Sequence, residues 1–200
     1  MILHRLMLIA DQQGTNGRPL PDVIVRAANG VGGKLVVQFR ERELSNAELI
    51  AVIRAVQRRI PPQTVLIVNN RPELAQALEI GLHLPAAAET PAGQYALLGR
   101  SVHNESETHI ALADDVDYAI VGTIFETESH PGRAGAGLEH LRDMRDLLGN
   151  VACYAIGGMT TETAPQGIEA GVWGVAVRSA ILSADDPSEA AYRLAASLPA

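Results

Sequence analysis

The chain has 200 residues, of which 47% are hydrophobic, 20% are charged and 4% are aromatic, and its formal net charge is −7. This length predicts one domain covering residues 1–200, because two domains would each have too little core. The acidic balance and the scarcity of aromatic rings argue against a broad nucleic-acid surface, which needs a basic face and stacking platforms. The apolar runs have strand length, far below the roughly 20 residues that cross a bilayer.

The N-terminal run from Met1 to Asp11 has no basic leader before its apolar part, and the acidic Asp11 follows that part directly. This pattern is not that of a signal peptide. It predicts a first strand instead. The single cysteine, Cys153, lies in an apolar run and cannot form an intramolecular disulfide. We therefore expect a reduced core thiol and a cytoplasmic protein.

Short apolar runs alternate with longer stretches of helical spacing, a pattern that is typical of βα units around a parallel sheet. Eight such runs are found: Leu3–Ala10, Lys34–Phe39, Thr64–Val68, Gly81–Leu84, Tyr95–Gly99, Tyr118–Val121, Val151–Ile156 and Gly174–Val177. Ser45 and Glu48 form a capping-box pattern at the start of the helix after the second run. The alternative architecture is a doubly wound open sheet. Eight βα units and no G-x-G-x-x-G after the first strand favour a closed (β/α)₈ TIM barrel with a phosphate site at its C-terminal face.

Polar residues follow the second and third predicted strands, where barrel enzymes place their active groups. Gln38, Arg40 and Arg42 alternate, so they could face one pocket and bind phosphate or carboxylate; salt bridges of a solvated loop are the alternative. Asn69 and Asn70 either make a turn or bind a ligand, and their spacing alone favours the turn.

The seventh and eighth predicted strands end in Gly157-Gly158 and Arg178-Ser179. Barrels often bind phosphate in these two loops, because glycines let backbone N–H groups approach an anion closely. The sequence thus predicts a phosphate site there, with the alternative that the glycine pair only makes a tight turn.

Among six histidines, His103 after the fifth run and His130 in the glycine-rich loop Glu126–Gly137 are candidates for acid/base work. His83 lies in a strand-like alternation where burial with one hydrogen bond is the usual explanation, and His140 lies in a helical pattern. A loop as long as 126–137 is usually functional or mobile. No metal-ligand cluster is evident, so we expect no metal site.

Five phrases of the sequence occur together and in order: Gln38-Phe39-Arg40-Glu41-Arg42, Gly99-Arg100-Ser101-Val102-His103, Val121-Gly122-Thr123-Ile124-Phe125-Glu126-Thr127-Glu128, Ala155-Ile156-Gly157-Gly158-Met159-Thr160 and Val175-Ala176-Val177-Arg178-Ser179-Ala180-Ile181. On their account the chain resembles the thiamine phosphate synthase/TenI superfamily. Each phrase alone is weak, but the set covers nearly the whole chain.

The resemblance implies one of two activities. Synthases of this superfamily join a pyrimidine diphosphate to a thiazole phosphate and use Mg²⁺ held partly by an aspartate in an Asn-Asp-Arg motif. This chain has Asn69-Asn70-Arg71, which lacks that hard anionic ligand, and Arg42 stands where synthases usually have lysine. The phrases Gly99–His103, Phe125–Thr127 and Ile156–Thr160 are similar to those of the TenI branch.

We therefore expect a TenI-like thiazole tautomerase, an isomerase of thiamine biosynthesis that aromatises a thiazole carboxylate phosphate by proton transfer without a cofactor. Tautomerases of this kind carry a catalytic histidine where Thr123 stands, and a hydroxyl does not titrate near neutral pH. That leaves His103 or His130 to exchange the proton. The alternatives are a thiamine phosphate synthase with Mg²⁺ and a non-catalytic phosphate-binding module.

The expected substrate or phosphate site gathers ten residues around the thiazole phosphate ligand. They are Gln38, Arg40, Arg42, Asn69, Asn70, Ser101, Gly157, Gly158, Arg178 and Ser179. The resemblance also implies a homodimer. We expect neither nucleic acid nor a membrane as partner.

Overall fold

A computed structural model describes residues 2–127, 132 and 134–199. Its eight parallel strands form a closed barrel in chain order, β1-β2-β3-β4-β5-β6-β7-β8, with the β8 strand paired to β1. The strands are Leu6–Ala10, Val36–Phe39, Val65–Asn69, Gly81–Leu84, Leu98–Val102, Tyr118–Gly122, Ala152–Ile156 and Gly174–Val177. The predicted (β/α)₈ barrel is confirmed, and the doubly wound sheet is wrong because β1 and β8 pair and leave no edge.

Helices cover the outside of the barrel. They are α1 (Leu20–Gly30), α2 (Asn46–Gln57), α3 (Pro72–Leu78), α4 (Glu105–Ala113), α5 (Gly137–Leu148), α6 (Ala164–Glu169), α7 (Ser179–Leu182) and α8 (Pro187–Ala196), and a 3₁₀ helix spans Gln12–Thr15. The predicted capping box is present at α2, where Ser45 accepts from the Glu48 backbone and the Glu48 carboxylate accepts from Ser45. In the described part of the chain, no helix is long and apolar enough to span a bilayer.

The core has two layers. The inner layer fills the barrel with Met7, Ile9, Val36, Ile67, Tyr118, Ile120, Tyr154 and their neighbours. The outer layer lies between the strands and the helices and includes Leu8, Val37, Val68 and Val121. Because alternate residues of each strand enter different layers, the strands read as continuous apolar runs. The Tyr118 and Tyr154 rings meet edge to face with centroids 5.9 Å apart.

The segment between β4 and β5 departs from the expected repeat, since residues 85–97 form no helix. β5 also begins at Leu98, three residues later than the predicted start at Tyr95. The buried Arg100 explains both findings. Its guanidinium donates to the carbonyls of Pro85 (3.2 Å), Ala86 (3.0 Å) and Ala88 (2.8 Å), so a side chain replaces the helix in holding this segment to the barrel.

Candidate functional site

A cavity of about 930 Å³ opens at the C-terminal ends of the strands. Its floor includes the apolar side chains of Ile9, Ile120 and Ile156 from the inner core layer, and polar side chains line the walls. This volume is in the range of small-molecule sites, which combine apolar lining with a few convergent polar groups. A smaller cavity of about 540 Å³ lies at the opposite end, near Ile60, Pro61 and Leu66. Since barrel enzymes place their chemistry at the C-terminal face, we assign the candidate site to the larger cavity.

The structure brings together ten of the thirteen residues that the sequence suggested. The cavity is lined by Gln38, Arg40, Asn69, Ser101, His103, Thr123, Gly157, Gly158, Arg178 and Ser179. Arg42 and Asn70 do not line it, and His130 lies outside the described residues. The roles of the lining residues in ligand binding stay predictions.

The loop after β7 lies against the chain that follows β6, which leaves no room for side chains. A β-carbon on Gly157 (φ 100°) would lie 2.3 Å from Thr123 Cγ2, and one on Gly158 (φ 64°) would lie 2.6 Å from Phe125 Cβ. The Gly157 carbonyl accepts from the Phe125 N–H at 3.1 Å, and the Gly158 carbonyl accepts from the Thr163 hydroxyl at 2.7 Å. Both residues therefore must be glycine here, which fits close approach of an anion to the backbone.

The first and last strands are joined at the cavity mouth by Asp11 and Arg178. Arg178 Nε donates to Asp11 Oδ2 at 2.5 Å and Nη2 donates to Oδ1 at 2.7 Å, a bidentate pair that raises the pKa of Arg178. The Gly14 N–H donates to the same Oδ1 at 2.8 Å. Asp11 thus fixes the Arg178 guanidinium in one orientation beside Ser179, where α7 begins.

Arg40 follows β2 at the rim of the cavity, and within the described residues its side chain forms no ion pair. Partial burial of its guanidinium, followed by repulsion from Arg42, lowers its pKa; Asp11 opposes this shift and Arg178 adds to it. The predicted alternative is a solvated loop with salt bridges to Glu41 and Glu43. Among the described ion pairs, none joins Arg40 or Arg42 to either acid, and the buried Glu41 carboxylate accepts from the Gln12 N–H. Arg40 is therefore a cation available to an anionic ligand.

An amide pair and a buried histidine lie deeper in the cavity wall. Asn69 Nδ2 donates to Gln38 Oε1 at 3.2 Å. The His83 ring bonds through Nδ1 to the Tyr118 hydroxyl (3.0 Å) and through Nε2 to the Ser101 hydroxyl (2.9 Å), one bond more than the sequence suggested. Burial, and next the charges of Arg40 and Arg100, lower the pKa of His83 to about 3. His83 is therefore neutral at physiological pH and holds the Ser101 hydroxyl in place.

Of the two histidines expected to exchange a proton, His103 lies within the described residues, and so does Thr123, which stands where the tautomerase pattern has its histidine. His103 lines the cavity but its Nδ1 lies 2.8 Å from the Glu107 carboxylate, one turn into α4. Thr123 lies directly beneath Gly157 at the end of β6. Sequence reasoning also missed several polar lining residues, among them His83 of β4, Glu126 after β6 and His140 of α5. The sequence assigns His140 only to a helical pattern, since no local signal shows that its helix turn reaches the cavity.

Two members of the phrase Gly99-Arg100-Ser101-Val102-His103, Arg100 and Gly99, have structural roles. Arg100 is fully buried, and its Nη2 lies 2.7 Å from both the Thr90 hydroxyl and the Asp114 carboxylate. Gly99 accommodates the Tyr118 ring, which a β-carbon would meet at 2.0 Å. The phrase therefore combines a scaffold with two cavity residues, Ser101 and His103.

A closed parallel barrel with a glycine loop, a short helix after β8 and arginines at its C-terminal mouth places the chain in the class of (β/α)₈ barrels, whose functional site lies at that face. The chain matches the family described as thiamine monophosphate synthase over residues 6–181. It is 37% identical over 204 residues to the thiamine-phosphate synthase of Chloroflexus aurantiacus, covering 96% of this chain and 91% of that protein. This chain belongs to the thiamine monophosphate synthase/TenI superfamily.

Other comparisons agree with this placement. The thiamine-phosphate synthase of Moorella thermoacetica is 38% identical over 188 residues, covering 89% of this chain and 88% of that protein. In fold, thiamine phosphate pyrophosphorylase from Pyrococcus furiosus superposes with a TM-score of 0.80 at 24% identity, covering 98% of this chain and 95% of that one.

The expectation of a thiazole tautomerase, an isomerase, is wrong. The curated relatives at 32–38% identity are named thiamine-phosphate synthases, which are transferases. Part of the phrases that resembled the TenI branch serves the scaffold, since Arg100 holds the segment after β4 and the two glycines let the β7 loop pack against the chain after β6. Short sequence phrases of this kind therefore do not distinguish a thiamine-phosphate synthase from a thiazole tautomerase.

The Mg²⁺ site that the superfamily implies does not fit the residues present. Mg²⁺ needs oxygen ligands, usually one or two carboxylates, with near-octahedral geometry. Asn70 is neutral, exposed and outside the cavity lining, and its neighbour Arg71 instead binds the Leu44 carbonyl at 2.7 Å. Across residues 2–127, 132 and 134–199, no group of three or more His, Cys, Asp or Glu side chains is arranged to hold a metal.

Proposed function

We propose that this chain is a thiamine-phosphate synthase: a transferase that joins a pyrimidine diphosphate to a thiazole phosphate and releases pyrophosphate. The observation that carries the proposal is full-length similarity to proteins of that name, 37% identity over 204 residues. The cavity supports it, because about 930 Å³ accommodates two small ligands and anion-binding groups lie on both of its sides.

Each ligand has a suitable place in the cavity. The thiazole phosphate would lie against Gly157, Gly158 and Ser179, where backbone N–H groups and a hydroxyl can bind an anion. The pyrimidine diphosphate would lie on the β2 and β3 side, with its charge near Arg40 and its ring near the Gln38 and Asn69 amides. In the transfer, the thiazole forms a bond to the carbon of the pyrimidine that carries the diphosphate. The carbon–oxygen bond to the diphosphate breaks, and pyrophosphate leaves.

The chain's own residues would assist by binding, orientation and charge. Negative charge grows on the departing diphosphate, and a cation beside it such as Arg40 stabilises it more in the transition state than in the ground state. The apolar floor of Ile9, Ile120 and Ile156 keeps water from the reacting carbon. Neutral His83 holds Ser101 as a hydrogen-bonding group rather than as an acid or base.

The proposal includes a homodimer and a cytoplasmic protein with no nucleic-acid partner. A dimer is the state that the superfamily resemblance implies, and sedimentation velocity of the full chain tests it directly.

The test of the activity is a coupling assay with pyrimidine diphosphate and thiazole phosphate, run in excess EDTA and in excess magnesium chloride, with thiamine phosphate and pyrophosphate both quantified by chromatography. We expect the two products in equal amounts. Gly158→Asp should abolish product, since it places a bulky negative charge in the phosphate loop. The matched control is Arg58→Gln on exposed α2, which should behave as wild type. No product in either buffer, with both ligands bound, would contradict the transferase.

A further inference from the structure

Arginines gather at the cavity mouth although the chain as a whole carries −7. Arg40 and Arg178 line the cavity, and Arg42 is near enough to repel Arg40. Asp11, the carboxylate whose charge acts on Arg40, already accepts two bonds from Arg178 and one from the Gly14 N–H. It therefore neutralises one guanidinium and leaves Arg40 uncompensated.

The other carboxylates near the site are not placed to bind a cation beside Arg40. Glu41 is buried and accepts from the Gln12 N–H, and Glu107 pairs with His103. Glu126 lines the cavity after β6, which lies diametrically opposite β2 in the eight-stranded barrel. The strand ends on the β2 and β3 side thus offer amides and a guanidinium where a hard cation would need anionic oxygens.

We infer that this chain binds its diphosphate ligand without a divalent cation, with the guanidinium of Arg40 as the counter-charge and the guanidinium of Arg178, already neutralised by Asp11, as an oriented N–H donor. The inference deepens the proposed function and rests on it only for the choice of a diphosphate as ligand. Guanidinium groups suit the role, because their planar N–H donors match phosphate oxygens and they stay charged at any physiological pH. Asp11 holds Arg178 in a fixed orientation, so that part of the anion site is formed before the ligand binds.

Added magnesium should then weaken binding. A magnesium–pyrophosphate complex carries less negative charge than free pyrophosphate and keeps a shell of tightly held water. A site made of cations attracts that complex less strongly than the free anion. This is the opposite of what a site with a carboxylate ligand for the metal would show.

The test is isothermal titration of inorganic pyrophosphate into the full chain, in excess EDTA and in excess magnesium chloride. We expect binding in EDTA and equal or weaker affinity with magnesium. Arg40→Gln should weaken the affinity in EDTA by roughly 10-fold to 100-fold, the value of one hydrogen bond to a charged group. Arg58→Gln, which removes an exposed arginine of α2 far from the cavity, should leave it unchanged. Circular dichroism would show that both variants fold.

Binding that occurs only when magnesium is added would overturn the inference, and so would an Arg40→Gln variant with wild-type affinity in EDTA. The coupling assay separates this outcome from failure of the proposed function. Pyrophosphate binding in EDTA without any coupling leaves the inference standing and removes the transferase. Coupling that strictly requires magnesium supports the transferase and overturns the inference.

Discussion

Arg178 and Asp11 form a two-bond ion pair, 2.5 and 2.7 Å, that joins residues 167 positions apart in the chain. The Asp11 side chain is 14% exposed and that of Arg178 is 29% exposed, so solvent screens the pair only in part. The pair closes the barrel at the mouth of the cavity and positions one of its cations. Its loss should therefore affect both the stability of the fold and the binding of anions.

Asp11→Asn should lower the free energy of unfolding by about 2 kcal/mol, because it removes a charged acceptor of several hydrogen bonds and leaves a partly buried arginine unpaired. Urea denaturation measures the change. Asp146→Asn breaks the exposed pair with Arg145 and should cost less than about 1 kcal/mol. Equal decreases in the free energy of unfolding of the two variants would show that the Asp11–Arg178 pair stabilises the fold no more than an exposed pair does.

Gly158→Ala should weaken the binding of inorganic phosphate by roughly 10-fold or more, the cost of one lost charge-assisted hydrogen bond. The added methyl group would meet Phe125 Cβ at 2.6 Å and the Glu126 carbonyl oxygen at 2.8 Å, so the loop must move. Gly17→Ala is the control, because Gly17 has a similar φ of 80° but open space around a β-carbon. Isothermal titration should show unchanged phosphate affinity for Gly17→Ala. Unchanged affinity in both variants would place the phosphate elsewhere.

Arg100→Met should destabilise the fold by roughly 3–5 kcal/mol, since it leaves Asp114 and the carbonyls of residues 85–88 without their buried cation. The segment 85–97, which has no helix of its own, should become sensitive to protease before the rest of the chain. Arg193→Met on α8 breaks only an exposed pair with Glu189 and serves as the control. A resistant segment in Arg100→Met would contradict the role given to this arginine.

Stability should fall in acid because of His83. Its pKa is about 3 in the folded protein and about 6.5 when unfolded, so the unfolded chain binds an extra proton between these values. The contribution is complete above pH 6.5 and decreases as the pH falls toward 3, by roughly 2–3 kcal/mol between pH 7.5 and 4.5. His83→Asn should show a smaller decrease over this range in urea denaturation. His109→Gln, an exposed histidine of α4, should match wild type, and identical profiles for all three proteins would contradict the shift.

Sequence by itself determined the barrel and most of its strands. The predicted runs Gly81–Leu84 and Gly174–Val177 match the observed strands residue for residue, because a short strand buried on both faces is mostly apolar along its length. The glycine pair after β7 and the capping box at Ser45 could also be predicted from the sequence, since backbone conformation and capping are local properties. The sequence also shows directly that neutral Asn70 stands where synthases of the superfamily have an aspartate.

Tertiary structure alone decided which polar side chains share the cavity. Gln38, Arg40 and Arg42 alternate in sequence, but β2 ends at Phe39, so the alternation stops and Arg42 leaves the lining. The structural role of Arg100 depends on carbonyl partners 12 to 15 residues away in the chain, and the place of His83 in the cavity wall depends on its contact with Ser101. The physical reason is that charge pairing and burial act through space between distant residues, whereas strand and turn preferences act between neighbours in the chain.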